Sequence, residues 1–530
     1  MSEQTETNEP LPLGWCWVSL GQLAADSSIG LDRGMQYQRT APPGSPYIKM
    51  NNVTMDGRVL FADLVFVETT EEERERYSLV EGDLLFNTRN STELVGKVGI
   101  IQKAPTQSVY NNNLMRIRFD GAALPAFVCY QMCAGGFRSR MEKVKKATTS
   151  VAAVYSKDLF PLQLALPPLA EQERITDALD ELFSDLDAGV AALERVRTKL
   201  RHYRAAVLKA AVEGALTADR RKQRPATEPA SALLTRILAE RRRRWEQDQL
   251  RKFAAADKQP PQHWKAKYKQ PVAPVTTNLP PLPDGWGRAS FDQIGETQGG
   301  LQRSPSRKPT KNHYPYLRVA NVHRGSLDLR ELHRFELTDD ELERLRLQPG
   351  DLLIVEGNGS RTEIGRCALW RGDVADCVHQ NHIIRIRPLA GVLPKYANLF
   401  LNSPDGQNAI QWVASSTSGL YTLSVGKIQQ LPLALPPTAE QEAIVEIVED
   451  QLSVIEHIEA DVAAKLKSAQ ALRQSILRHA FTGQLVPQDP HDEPASELLK
   501  RIAADRDQRT RQATASKTDS RKRSTRRKKP

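Results

Sequence analysis

Cysteine is scarce in this chain: five in 530 residues, at positions 16, 129, 133, 367 and 377. No two are spaced C-x-x-C, and the number is odd, which argues against a zinc knot or a disulfide framework. The thiols read as reduced and mostly buried, as in a cytosolic protein. Long apolar runs are missing too. No stretch approaches the roughly 18 to 20 residues a membrane helix needs, and the start, MSEQTETNEP, lacks a charged-then-apolar leader pattern. The expectation is a cytoplasmic protein with no membrane partner.

Catalytic motifs are equally absent. There is no G-x-x-x-x-G-K-[ST] to cradle a nucleotide, and Gly357 and Gly359 begin a G-x-G-x-x-G that is not completed. No [DNS]-P-P-[YF] string exists to hold a flipped base; the pairs Pro167-Pro168 and Pro436-Pro437 each follow leucine. No Asp or Glu has Lys two residues later, so the metal-nuclease pattern fails. The ten histidines form no H-x-x-x-H or H-E-x-x-H. Glu142 and Asp158 near Ser156 have no histidine partner in sequence. No catalytic residue, metal site or cofactor is assigned to this chain.

What is present is a basic balance and a repeat. Net charge is +10, which suits a polyanion. Most of the excess sits in the tail at 517–530, where eight Lys and Arg face Asp519 alone, so charge by itself says little. The repeat says more. LPLGWCWVSLGQLA from Leu11 returns as LPDGWGRASFDQIG from Leu282; YIKMNNV from Tyr47 as YLRVANV from Tyr316; EGDLLF around Asp83 as PGDLLI around Asp351; NNLMRIR ending at Arg118 as NHIIRIR ending at Arg387; LALPPLAEQE from Leu164 as LALPPTAEQE from Leu433. The matches are colinear at a spacing of about 269 residues. Chance recurrence of short strings does not produce that.

Each copy opens with about 150 residues of short apolar runs, such as 47–53, 83–87 and 114–119, separated by Gly and Asn clusters. These read as strands and turns, with helical stretches at 125–146 and 394–416. A long helix follows. In the first copy Ile175, Leu179, Leu182, Leu186, Leu193 and Leu200 recur at steps of three, four or seven, and in the second Ile444, Val448, Leu452, Ile455, Val462 and Leu466 do the same. Thr438 to Gln441 reads as a capping box that the first copy, with Leu169, lacks. Gly214 and Gly483 suit left-handed C-caps. Two equivalent seams are satisfied by packing on each other, giving a strut of roughly 60 Å at about 1.5 Å per residue; the alternative is that each helix packs back on its own domain. Residues 216–281 read as a basic helical extension and then a Pro-rich connector, with EPASALLTRI from Glu228 echoed by EPASELLKRI from Glu493. The basic tail reads as disordered, adding either non-specific DNA attraction or only solubility.

L-P-x-G-W at 11–15 and 282–286, GDLL at 82–85 and 350–353, LPPxAEQ at 166–172 and 435–441, and the connector WEQDQLRKF…KYKQPVAP…LPPLPDGW together resemble one family, the specificity subunits of type I restriction-modification systems. The resemblance covers nearly the whole chain; only the basic tail departs from it. It implies an α/β fold: two mixed α/β target-recognition domains joined by two long antiparallel coiled-coil helices, with an internal pseudo-twofold repeat. The implied boundaries are 1–160 and 282–429 for the recognition domains, 161–215 and 430–487 for the spacer helices, 216–281 for the linker and 488–530 for a short helix and tail. Each domain would read one half of a split, asymmetric site on double-stranded DNA. Two modification subunits would dock on the frame and bring S-adenosylmethionine and adenine methylation; restriction subunits would bring ATP, magnesium, translocation and cleavage.

Base edges are reached by Arg, Lys, Asn or Gln, while phosphates set register. The candidates are Arg33, Arg39, Arg89, Asn90, Arg138, Arg140, Lys143, Lys145 and Lys146 in the first domain. In the second they are Arg303, Arg307, Lys308, Lys311, Asn358, Arg361 and Tyr421. For any one of them the competing reading is a solvated surface charge. Two other classes compete with a DNA reader. An enzyme would need the missing motifs. A plain coiled-coil scaffold would not need twin globular domains whose loops diverge, NTRNSTELVGK against EGNGSRTEIGR, on a repeated frame.

Overall fold

The computed structural model describes residues 11–148, 151–224, 226, 228–276, 279–302, 304, 307–417 and 419–504. The basic tail and Arg303 therefore lie outside the described residues. Two compact units are present: Met1–Glu194 with Ala463–Pro530, and Arg195–Val462. Each contains one globular copy, the near half of its own long helix and the far half of the other copy's helix.

In the first unit, a five-stranded sheet runs in the order Ala24–Ile29, Leu114–Phe119, Leu84–Asn87, Val98–Ile100, Gly57–Arg58. Pairing is antiparallel except at the last edge. The Leu84–Asn87 strand is buried at every position, as expected of a strand covered on both faces. A second sheet orders Val65–Val67, Ser45–Ile48 and Val109–Tyr110, and Cys16–Ser19 pairs with Gln163–Leu166. The second unit repeats this plan. Gly295–Gly299, Ile383–Pro388, Leu352–Val355 and Cys367–Leu369 form its main sheet, and Gly287–Ser290 pairs with Pro432–Leu435.

The helical stretches expected at 125–146 and 394–416 are each two helices: Pro125–Cys133 with Gly135–Val144, and Pro394–Asn402 with Pro404–Val413. Ala134 and Ser403 are extended at the breaks. Pro404 cannot donate to the preceding turn, and Gly135-Gly136 has weak helix propensity. After each pair the chain is strand rather than helix: Lys146–Ala147 and Ser415–Thr417.

The long helices span Leu169–Val212 and Thr438–Phe481. Both end in the same 6→1 closure. The Ala215 N–H donates to the Ala210 carbonyl and the Gln484 N–H to the His479 carbonyl, both at 2.9 Å. Gly214 (φ 74°) and Gly483 (φ 70°) supply the left-handed residue that this closure needs. The expected Thr438 capping box does not form. The Pro437 carbonyl already accepts the Glu440 and Gln441 N–H groups at 2.9 and 3.0 Å. The Gln441 side chain is drawn elsewhere, and the Thr438 hydroxyl is buried without a partner.

The helices pair antiparallel within each unit. In the first, Arg473 bonds to Asp187 and lies over the Phe183 ring, while Leu477 and Ala480 join Ile175 and Leu179 in the core. In the second, Arg204 bonds to Glu459 at 3.0 Å, and Val207, Leu208, Ala211 and Val212 pack with Ile444, Val445 and Val448. The same surfaces also cover their own globular copy, so partner-helix packing and packing back on the domain coexist. Leu200, Ile455 and Val462 are buried, and Leu186, Leu193, Leu452 and Leu466 are half-buried. Leu182 departs from the expected seam at 40% exposure; Phe183, one i+4 step beyond Leu179, is buried instead.

Candidate nucleic-acid interface

The most repetitive strings in the sequence build the frame. Trp15 Nε1–H donates to Glu171 at 3.0 Å, and Trp286 Nε1–H to Glu440 at 2.9 Å. L-P-x-G-W and LPPxAEQ are thus two halves of one latch. Burial pushes the Glu171 carboxyl above its ordinary range; Glu440 accepts from Thr217 and Arg221 as well. Gln172 and Gln441, fully buried, accept the Leu124 and Leu393 N–H groups at 2.9 and 2.8 Å. The same glutamines donate to the Pro167 and Pro436 carbonyls. The EPAS helices dock identically: the Ala230 N–H donates to the Gly285 carbonyl at 2.9 Å and the Ala495 N–H to the Gly14 carbonyl at 3.0 Å.

The GDLL aspartates are buried acceptors. Asp83 takes two bonds from Arg118 (2.6 and 3.0 Å) and Asp351 two from Arg387 (both 2.7 Å). Fork-to-carboxylate geometry of this kind fixes orientation as well as charge.

Two candidates for DNA contact belong to this frame as well. Arg33 binds both oxygens of Glu73 at 2.7 and 2.8 Å, and Arg307 both oxygens of Glu341 at 3.1 and 2.8 Å. Each glutamate also closes a capping box, with Thr70 or Thr338, and Arg307 holds the Glu341 carboxyl down at about 2. Arg138 donates to the Met55 and Cys133 carbonyls, and Arg140 donates to the Gln163 carbonyl and lies over the Trp17 ring. Arg39 pairs with Glu68. Lys143, Lys308, Lys311 and Arg361 are exposed; the Lys311 backbone N–H donates to Glu336.

The remaining candidates converge on a small three-stranded sheet that occurs once in each unit. In the first unit Arg89–Asn90 pairs with Ala152–Ala153, which pairs with Lys146–Ala147. Lys145 Nζ–H donates to the Thr92 carbonyl beside it at 3.1 Å, and Lys146 reaches Asp158 at 3.2 Å. In the second unit Gly357–Asn358 pairs with Leu420–Thr422, which pairs with Ser415–Thr417. This places Asn358 and Tyr421 opposite each other. The sheet also carries Ser415 and Ser416, both exposed, which a search for cations and amides passes over. The available signal was their correspondence to Lys146 and Ala147 under the repeat.

Comparison with known proteins bears on the whole chain. The family model for the type I restriction modification DNA specificity domain matches residues 31–194. The EcoKI specificity subunit of Escherichia coli K12 is 26% identical over 94% of this chain and 96% of its own length. The StySPI specificity subunit of Salmonella potsdam is 23% identical over the same shares, 94% and 96%. Over nearly its whole length the chain is similar to type I specificity subunits. A solved chain from the "Structural basis underlying complex assembly and conformational transition of the type I R-M system" shares its fold, with a TM-score of 0.55 at 15% identity, covering 90% of this chain and 100% of that one. Among the described residues no group of His, Cys, Asp and Glu is arranged to hold a metal, and no helix is long and apolar enough to cross a membrane.

Proposed function

We propose that this chain is the DNA-recognition subunit of a cytoplasmic type I restriction-modification complex. Each globular copy reads one half of a bipartite, asymmetric site on double-stranded DNA, and the paired helices set the gap. Two modification subunits dock on the frame and supply S-adenosylmethionine-dependent adenine methylation. Restriction subunits supply ATP- and magnesium-dependent translocation and cleavage. The observation that carries this reading is a frame built twice, latch for latch, under a small sheet whose side chains differ. A protein that binds two copies of one half-site has no need for that difference. A reader of two unlike half-sites does, because specificity is carried by side chains at base edges while the docking frame is common.

The test is biochemical. Purified alone with S-adenosylmethionine, ATP and magnesium, the chain neither methylates nor cuts DNA; methylation appears when the modification subunits are added. Turnover by the pure chain contradicts the proposal, as does a modification complex that methylates the same sites without it.

A further inference from the structure

The geometry points to the small three-stranded sheet of each unit as the element that discriminates bases, with Arg89 and Lys146 as specificity-determining residues in the first unit and Ser415, Ser416 and Tyr421 in the second. The inference rests on the proposed DNA-reading function and names where in each unit that reading occurs.

Three requirements define such an element. Its backbone must be held alike in both copies, its side chains must differ between them, and each must reach solvent at least in part: Arg89, Lys146, Ser415 and Ser416 are exposed, and Tyr421 is half-buried at the edge of the core. The anchoring is the same in both. The Val154 N–H donates to the Thr88 carbonyl and the Leu423 N–H to the Glu356 carbonyl; the Thr88 N–H donates to the Asn113 carbonyl and the Glu356 N–H to the His382 carbonyl, all within 2.8–2.9 Å. Strand registers correspond as well: Ala152 faces Asn90 as Tyr421 faces Asn358, and Lys146 faces Ala153 as Ser415 faces Thr422.

On this common backbone the chemistry changes. Arg89 becomes Gly357, Lys146 becomes Ser415, Ala147 becomes Ser416 and Ala152 becomes Tyr421. The contact beneath the outer strand inverts: Lys146 pairs with Asp158 in the first unit, whereas Lys427 donates to Ser415 in the second. Asn90 and Asn358 are the unchanged pair, and both are spent locally, their side-chain oxygens accepting the Ser91 and Ser360 N–H groups. Arg89 is exposed, and its guanidinium has no partner among the described residues.

The principal rival is the segment holding Arg33 and its counterpart Arg307. Those arginines make the same bidentate contact in both units, and the first lies beside Glu68 and the acidic turn Glu71, Glu72 and Glu73. They serve the frame. A β-ribbon fits the major groove of B-form DNA, and Arg or Lys there reads guanine O6 and N7, whereas Ser and Tyr hydroxyls read with a different hydrogen-bonding pattern.

The test maps adenine methylation in a host carrying the complete system with wild-type chain, with Arg89→Gly, or with the double variant S416A/Y421F. Arg89→Gly installs the residue of the second unit; the double variant removes two hydroxyls and keeps the packing. Arg89→Gly is expected to lose at least about fivefold of its base preference at a position in one half-site only. The double variant is expected to relax the other half-site only. Lys146→Ser carries the same expectation as Arg89→Gly and serves if that variant fails to assemble. An unchanged motif in these variants, or equal loss in both halves, overturns the assignment while leaving the DNA-reading function intact. A wild-type chain that yields no split motif overturns both.

Discussion

At the scale of single residues, strings that carry the family resemblance turn out to hold the frame. Trp15, Glu171, Gln172 and Asp83, with Trp286, Glu440, Gln441 and Asp351, are consumed by contacts inside the protein. Sequence periodicity could locate them but not pair them, because the partners lie up to 156 residues apart. Buried equivalent positions also differ: Tyr110 in the first unit is His379 in the second, fully buried, with Nδ1 on the Ile383 carbonyl at 2.9 Å. Burial lowers the His379 pKa from 6.5 to about 4. A group whose protonated form is disfavoured in the fold binds protons more readily when unfolded, so stability falls as pH drops from 6.5 toward 4. His379→Asn is therefore expected to flatten the dependence of the second unit's melting temperature on pH in that window. The check is calorimetry between pH 7 and 4; a slope equal to that of wild type contradicts it.

At the scale of elements, the long helices and their glycine ends were legible, because a 3.6-residue period sustained over 44 residues leaves few alternatives. The details that failed were local. Leu182 and Phe183 both suit a helical seam by spacing, and Phe183 is the one that the Tyr130 ring and the Arg473 guanidinium cover. Thr438 has the composition of a cap, but the preceding proline carbonyl already serves the first free amides. The small sheet was illegible for a different reason: its strands are two or three residues long, too short for alternation to show. If the helix pair acts as a ruler, adding one turn of about four residues after Leu193, with a matching turn after Val462, lengthens the gap between half-sites and leaves both half-sites as they were. Methylation mapping reads this directly, and an unchanged gap argues against the ruler.

At the scale of the whole molecule, the repeat was the most informative feature of the sequence and net charge among the least, since most of the excess lies in the tail beyond residue 504. The duplicated architecture followed from the repeat. The division of labour within each copy did not, because frame and reader alternate along the chain and separate only when side-chain partners are known. The central claim is that the two copies read different halves of one DNA site. It is tested most directly by exchanging residues 282–429 for the matching part of a relative of different specificity and mapping methylation genome-wide by long-read sequencing. The account predicts that one half of the recognised motif changes while the other half and the gap stay fixed; a change in both halves, or in neither, contradicts it.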